Sequence, residues 1–160
     1  FLESDLFFSG IRPAMNAGQS VSRVGGAAQI PAMKAVSGTL RLELAQYREL
    51  AAFAQFGSDL DSATQKTLRR GEVLVEILKQ PQYKPMDVSQ QVTILYAATN
   101  GFLDTYNTSV LHRYEADLID HMQANHGGLL NEIRSGGKLK GDLKDKLHSS
   151  IKEFDERFNA

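Results

Sequence analysis

The segment GDLKDKLHSSIKEFDERF, residues 141–158, carries the clearest amphipathic pattern in the sequence. Its apolar residues recur every three or four positions between charged and polar ones, at Leu143, Leu147, Ile151, Phe154 and Phe158. Residues spaced in this way form one apolar stripe along an α-helix. Because such a helix is stable mainly when its stripe is packed, the segment predicts a helical domain in which other helices cover it.

From Ala27 onward, apolar residues recur at the same helical spacing in several stretches. Residues that end or start helices separate these stretches. Proline and glycine end helices, and Asp, Ser and Thr side chains cap the next ones. These signals predict about five helices on one core. The first is long, irregular near Pro31 and Gly38, and stops at Gly57-Ser58; the second is capped by Asp59 or Asp61 and runs to about Lys79. A proline loop follows at 80–85, and Asp87 then caps a third helix that ends near Tyr106. A fourth helix starts at Thr108 or Ser109 and ends at Gly136, and the last helix lies over 141–158.

Residues 1–29 differ from the rest because short apolar runs alternate there with glycines and a proline. The run Ser-Val-Ser-Arg-Val at 20–24 has the two-residue alternation typical of a β-strand. We therefore predict a mainly α fold, with a helical domain over 30–160 and a short β and loop segment over 1–29. The chain also opens on Phe1 without an initiator Met, from which we expect a piece cut from a longer protein.

Composition limits the partners of this chain. With 18 basic and 19 acidic residues it has no basic field of the kind that concentrates nucleic acid, so we expect no nucleic-acid partner. No apolar run reaches the roughly 20 residues that span a bilayer, so any membrane association is expected to be indirect. The absence of cysteine excludes disulfides and thiolate metal sites.

The motifs give little support for a catalytic or metal site within the chain itself. Neither G-x-x-x-x-G-K-[ST] nor G-x-G-x-x-G occurs, so no self-contained triphosphate site is predicted. Asp117 and His121 share a helix face, with His126 further along, but further ligands do not follow at a recognisable spacing. We therefore predict no metal site. Acidic pairs such as Asp59 with Asp61 are better explained as caps and solvated side chains.

Four motifs, in the same order, make the chain similar to the family of F-type ATP synthase alpha subunits. They are GIRPA at 10–14, SVSRVGGAAQ at 20–29, LAQYRELAAFAQFGSDLD at 44–61 and LKQPQY at 78–83. The resemblance implies that residues 1–29 end a nucleotide-binding domain and that residues 30–160 form the C-terminal helical domain.

The resemblance also implies a catalytic contribution to another subunit. In that family alpha and beta subunits alternate in a ring, and alpha lends an arginine to a catalytic site that lies mainly on beta. Arg23 matches this arginine, and it is presented by a strand matched by Ser20, Val21 and Ser22. The resemblance implies that Ser20 is also needed for activity, and Ser20 and Ser22 are counted with Arg23 as candidate catalytic residues. An arginine finger stabilises charge on the transferring phosphoryl group because its planar donors meet phosphoryl oxygens in a fixed geometry.

A second implied site binds a nucleotide that is not turned over. Part of its adenine pocket is expected at Phe7, Arg12, Pro13, Gln80 and Gln82. On spacing alone, Gln80 and Gln82 are better explained as ordinary polar loop residues, and only the family match reverses that order. In that family, the part of this nucleotide site that binds phosphate lies upstream of the segment that the chain resembles, and the chain has no match to it. We therefore expect ATP or ADP with Mg²⁺ in the intact subunit, and neither a cofactor nor activity in this chain alone.

The partners implied by the resemblance are beta subunits in an alternating ring, the gamma central stalk, and delta or the peripheral stalk of a proton-translocating complex. Residues 55–61 are expected to face the rotating stalk. The complex is peripheral to a membrane, on the cytoplasmic side in bacteria or the matrix or stromal side in organelles. The alternative is a stand-alone helical interaction module whose apolar stripes dock a partner helix.

Overall fold

The fold is mainly helical, which confirms the predicted class. The computed structural model describes residues 1–54 and 60–159. The α-helices are α1 (Ser4–Phe8), α2 (Arg23–Ala28), α3 (Pro31–Ser37), α4 (Leu40–Ala54), α5 (Ser62–Ile77), α6 (Val88–Thr99), α7 (Leu111–Asn125), α8 (Gly127–Arg134) and α9 (Asp142–Asp155), and a 3-10 turn over Thr108–Val110 precedes α7. None of these helices is long and apolar enough to cross a bilayer.

Two predicted helix starts are confirmed by side chains that bind free backbone N–H groups. Asp61 accepts hydrogen bonds from two N–H groups in the first turn of α5, at 2.9 and 3.0 Å. Asp87 caps α6 in the same way, and the Gln90 side chain accepts from the Asp87 N–H at 3.1 Å to complete a capping box. The predicted stop at Gly57-Ser58 and the alternative cap Asp59 lie outside the described residues.

Three predicted helices are divided or end earlier than their apolar spacing indicates. The first is interrupted near Gly38, as expected, and forms α3 and α4. The third ends at Thr99 because Gly101 takes a φ of 88°, outside the helical region. The fourth is interrupted at His126, whose φ of −130° and ψ of 32° separate α7 from α8. The predictions of a helix to Tyr106 and of one unbroken fourth helix were therefore wrong.

The predicted β-strand around Arg23 is not formed. Instead α2 begins at Arg23, and Ser22 Oγ accepts a hydrogen bond from the Gly25 N–H at 2.9 Å. Among the described residues, β-structure is limited to a single bridge between Leu2 and Met15. A strand needs another strand to satisfy its backbone groups, whereas a serine cap satisfies the start of a helix locally. Local capping therefore prevails over the alternating pattern.

The core is built around α6, in which residues 92–98 are all buried. The predicted stripe of α9 packs into this core: Leu143, Leu147, Ile151 and Phe154 are buried, and Phe158 is partly buried. Two tyrosines lie against the end of that stripe, and the hydroxyls of Tyr106 and Tyr114 both donate to Asp155 Oδ1, at 2.9 and 3.2 Å. The helix that was clearest in the sequence is thus fixed both by apolar packing and by a shared carboxylate.

Candidate functional site

An open cleft of about 1130 Å³ lies between the N-terminal segment, the loop after α5 and one face of α7. The N-terminal segment is joined to the loop by a backbone hydrogen bond, in which the Gln80 N–H donates to the Arg12 carbonyl at 2.8 Å. The loop cannot continue α5 because Pro81 and Pro85 have no backbone N–H. The cleft therefore depends on contact between two segments that are far apart in the sequence.

All five residues implied for adenine recognition line this cleft; they are Phe7, Arg12, Pro13, Gln80 and Gln82. The guanidinium carbon of Arg12 lies 4.4 Å from the centre of the Phe7 ring, a cation–π contact. Phe7 keeps 46% of its surface exposed, so the contact with Arg12 does not cover the ring. The lining combines an aromatic ring, a proline and two amides, which can pack on a heterocycle and hydrogen-bond to its edge.

The two glutamines of the loop stand in different surroundings. Gln80 Nε2 donates to the Lys84 carbonyl at 3.0 Å, which ties the side chain across the loop. Gln82 is exposed, and it precedes Tyr83, whose φ of 62° lies in the left-handed region that few residues other than glycine adopt. Gln80 is therefore oriented by the protein, whereas Gln82 is free to adjust to a bound molecule.

One face of α7, which the sequence reasoning did not assign to a site, forms another wall of the cleft. His112, Glu115, Ala116 and Ile119 follow one another at helical spacing and all line it. Burial raises the pKa of Glu115, and the His112 ring lies 3.6 Å from the Glu115 carboxylate and 3.1 Å from that of Glu76. The sequence does contain one signal that could have indicated this face. Ile119 is apolar, yet it lies outside the buried stripe of α7.

The three residues implied for catalysis lie elsewhere. Ser22 caps α2, and Arg23 is the first residue of that helix and is exposed. The Arg23 guanidinium makes no hydrogen bond or ion pair within the part of the chain that the structure describes. Ser20 Oγ accepts a hydrogen bond from the Phe1 amine at 3.0 Å. None of the three is among the described residues that line the cleft. The fold therefore separates them from the five residues implied for adenine recognition.

A second group of ionisable side chains gathers where α7, α8 and α9 meet. It consists of His121, His126 and Glu153. The sequence pattern had paired His121 with Asp117 on one helix face, whereas the fold brings it to a histidine beyond the helix break and to a glutamate on α9. Sequence spacing could not indicate this group because its three members come from three separate elements.

Comparison with known proteins identifies the family. The family model described as ATP synthase alpha/beta chain, C terminal domain, matches residues 29–154. An ATP synthase subunit alpha from Lactobacillus johnsonii is 57% identical over 159 residues, which are 99% of this chain and 31% of that relative. The chain thus spans about a third of the length of the curated relative it matches. Because the family match covers well over half of the chain, this protein belongs to the ATP synthase alpha/beta family, with the family's C-terminal domain and with an alpha subunit as its relative.

Proposed function

We propose that the chain is the C-terminal part of the alpha subunit of a proton-translocating rotary ATP synthase, and that its cleft forms the adenine end of a non-catalytic nucleotide site. The identity of 57% to an alpha subunit supports the first part. The observation that carries the second part is the lining of the cleft. Five residues implied for adenine recognition come from two separate segments, yet all of them line one space large enough for a nucleotide base.

The lining offers contacts that a purine base can use. Phe7 and Pro13 offer apolar surfaces on which a ring can pack, and the amides of Gln80 and Gln82 can donate to and accept from its edge. The sequence contains no phosphate-cradling G-x-x-x-x-G-K-[ST] loop. ATP or ADP with Mg²⁺ is therefore the proposed ligand of the intact subunit, with its phosphates bound by other parts of the protein, and this chain alone is proposed not to hydrolyse ATP.

Arg23 is proposed to act in the catalytic site of a neighbouring beta subunit. It is exposed at the start of α2, and the Ser22 cap defines where that helix begins. An arginine that reaches out of its own domain can stabilise the charge that develops on a transferring phosphoryl group. Ser20 and Ser22 are proposed as positioning residues for the segment that carries it.

The proposed partners follow from the same assignment. They are the beta subunits of an alternating ring, the gamma central stalk, and delta or the peripheral stalk. Contact with the membrane is proposed to be indirect, on the cytoplasmic side in a bacterium or on the matrix or stromal side in an organelle.

The cleft proposal is tested by measuring ADP retained at the non-catalytic sites of the assembled complex. Phe7→Ala removes an aromatic surface, and loss of base stacking costs about 1–3 kcal/mol, so retention should fall at least several-fold. Phe8→Ala is the matched control because Phe8 is the neighbouring exposed aromatic, at 83% exposure, and does not line the cleft. Equal ADP retention by the two variants would contradict the assignment of the cleft.

A further inference from the structure

Three side chains of metal-binding type converge beside α9. His121 belongs to α7, His126 to the α7–α8 junction and Glu153 to α9. One nitrogen or oxygen atom of each lies within 4.8 Å of the others. The Nε2 atoms of both histidines are buried and have no hydrogen-bond partner within the described residues. Buried nitrogens of this kind are uncommon because each forfeits its hydrogen bonds to water.

The helix break at His126 is what brings the two imidazoles together. In a continuous α-helix, side chains five positions apart point about 140° away from each other around the axis. His126 instead takes non-helical backbone angles between α7 and α8, and its ring centre lies 5.4 Å from that of His121. The break that apolar spacing failed to predict thus places two nitrogen ligands side by side.

A neighbouring serine prepares His126 to bind a cation. Ser150 Oγ donates its hydrogen to the Lys146 carbonyl at 2.9 Å, so it acts as the acceptor in its 3.3 Å contact with His126 Nδ1. The imidazole proton then sits on Nδ1, and the lone pair is on the buried Nε2. Hydrogen bonds of this kind orient metal-binding histidines and select their tautomer.

Glu153 completes the cluster from α9. Its Oε2 lies 3.5 Å from His126 Nε2, while its Oε1 is paired with Arg157 at 3.2 Å. Two ligands of a tetrahedral Zn²⁺ ion, with bonds of about 2.0–2.1 Å, stand about 3.4 Å apart. The observed separation is therefore already close to that of a ligand pair, and the ion pair with Arg157 leaves Oε2 facing the histidines.

His121 is also suited to bind a cation. Its Nε2 is buried without a hydrogen-bond partner among the described residues, and its ring centre lies 5.4 Å from that of His126. The exposed Asn125 amide donates to His121 Nδ1 at 3.2 Å. Binding through Nε2 requires this amide to turn, so that its oxygen accepts a hydrogen from Nδ1.

We propose that His121, His126 and Glu153 form a binding site for a divalent transition-metal ion of the Zn²⁺ class, with water as the fourth ligand. Two imidazoles and one carboxylate are donors that Zn²⁺ prefers, whereas Mg²⁺ favours oxygen donors alone. Because the ligands come from α7, the α7–α8 junction and α9, the bound ion links α9 to that junction. The site is separate from the nucleotide cleft and does not depend on the proposed function.

The test is titration of the metal-free 160-residue chain with Zn²⁺ and with Co²⁺, followed by calorimetry and visible absorption. We expect one ion per chain, the absorption of tetrahedral Co²⁺, and a Tm that rises with Zn²⁺ concentration, since a ligand that binds only the folded state stabilises it. His126→Ala and Glu153→Gln should each weaken Zn²⁺ binding by more than about tenfold and abolish the rise in Tm.

His112→Ala is the matched control. His112 also lies on α7 next to a glutamate, but it is outside the cluster, so its removal should leave Zn²⁺ affinity unchanged. Circular dichroism establishes that each variant is folded, and Glu153→Gln, which keeps the size of the side chain, carries the test if His126→Ala does not fold. The proposal is overturned if no binding at one ion per chain occurs, or if His112→Ala weakens it as much as the cluster variants do.

Discussion

The side chain of Tyr47 on α4 packs against the backbone of Gly71 on α5, where position 71 has room for no side chain. A Cβ atom added at Gly71 would overlap Cβ and Cγ of Tyr47. Those atoms lie at the base of the tyrosine side chain, so rotating its ring cannot relieve the overlap. The close approach of α4 and α5 at this point therefore requires glycine.

Gly71→Ala is expected to destabilise the protein. Alanine favours a helix by about 1 kcal/mol over glycine, but an overpacked contact costs about 1–3 kcal/mol or more, and here the overlap with Tyr47 involves atoms that cannot move independently. We expect a net loss of about 1–2 kcal/mol in the free energy of unfolding, measured by urea denaturation. Gly128→Ala on α8 is the control, because nothing lies within 4 Å of its added Cβ, and it should be neutral or stabilising. Equal stability of the two variants would show that α4 and α5 separate easily.

Asp87 makes stability depend on pH in the acid range. Hydrogen bonds from Arg134, then from Ser89, lower the pKa of Asp87 from 3.8 to about 2. Its stabilising effect is therefore present above the unfolded-state pKa and is lost as the pH falls through the folded-state value. The difference in unfolding free energy between the unaltered chain and Asp87→Asn should shrink between about pH 4 and pH 2.

Asp117→Asn is the control for that experiment. Asp117 is an exposed carboxylate on α7 and makes no ion pair with any residue the structure describes. Asp117→Asn therefore gives the effect of replacing a carboxylate that has no ion-pair partner, and the result for Asp87→Asn is compared with it. If the difference in unfolding free energy between the unaltered chain and Asp87→Asn stays constant over this pH range, the contact of Asp87 with Arg134 does not persist in solution.

Arg70→Lys is expected to weaken the connection between α5 and the segment after α6. Arg70 Nε donates to Asp104 Oδ1 at 2.7 Å, its Nη2 binds the other oxygen of the same carboxylate, and its Nη1 donates to the Thr99 carbonyl at 2.7 Å. Lysine cannot reproduce this planar, two-pronged contact, so we expect a loss of about 1–2 kcal/mol in unfolding free energy. Lys152→Ala breaks an exposed pair with Glu156 at 3.9 Å and should cost less than about 0.5 kcal/mol. Similar losses from both changes would contradict the role given to Arg70.

Arg23→Ala and Arg23→Lys test the proposed role of Arg23 in the assembled complex. If Arg23 acts as an arginine finger, single-turnover ATP hydrolysis should fall by about 10³–10⁵ with assembly intact, and lysine should rescue little because it lacks the planar fork. Arg41→Ala is the control, since this exposed arginine on α4 donates to the Gly18 carbonyl and has no proposed role in catalysis. Unchanged hydrolysis by Arg23→Ala would remove the catalytic assignment.

Helical content and several boundaries could be predicted from the sequence because they depend on local forces. The apolar spacing of α9 and the Asp61 and Asp87 caps act over a few residues, and the structure confirms all three. The strand predicted around Arg23 fails for the same physical reason. Its alternating pattern needs a distant partner strand, whereas the Ser22 cap is available at once.

The cleft residues could be predicted only through the family resemblance. Spacing alone left Gln80 and Gln82 as polar loop residues, and no periodicity connects them with Phe7 or Arg12. The wall formed by His112 and its neighbours was not predicted by either route. It belongs to the cleft because the loop after α5 packs beside α7, and that is decided by the packing of the whole core.

The sequence by itself determined that the fold is mainly helical, that α9 carries one apolar stripe, where Asp61 and Asp87 start helices, and which family the motifs resemble, because periodicity, capping and motif identity are local properties of the chain. Only the tertiary structure decided that Gln80 meets Arg12 across the cleft and that His121, His126 and Glu153 share one site. These groupings join segments far apart in the sequence, and they form because burying the apolar stripes of several helices at once leaves few ways to arrange them.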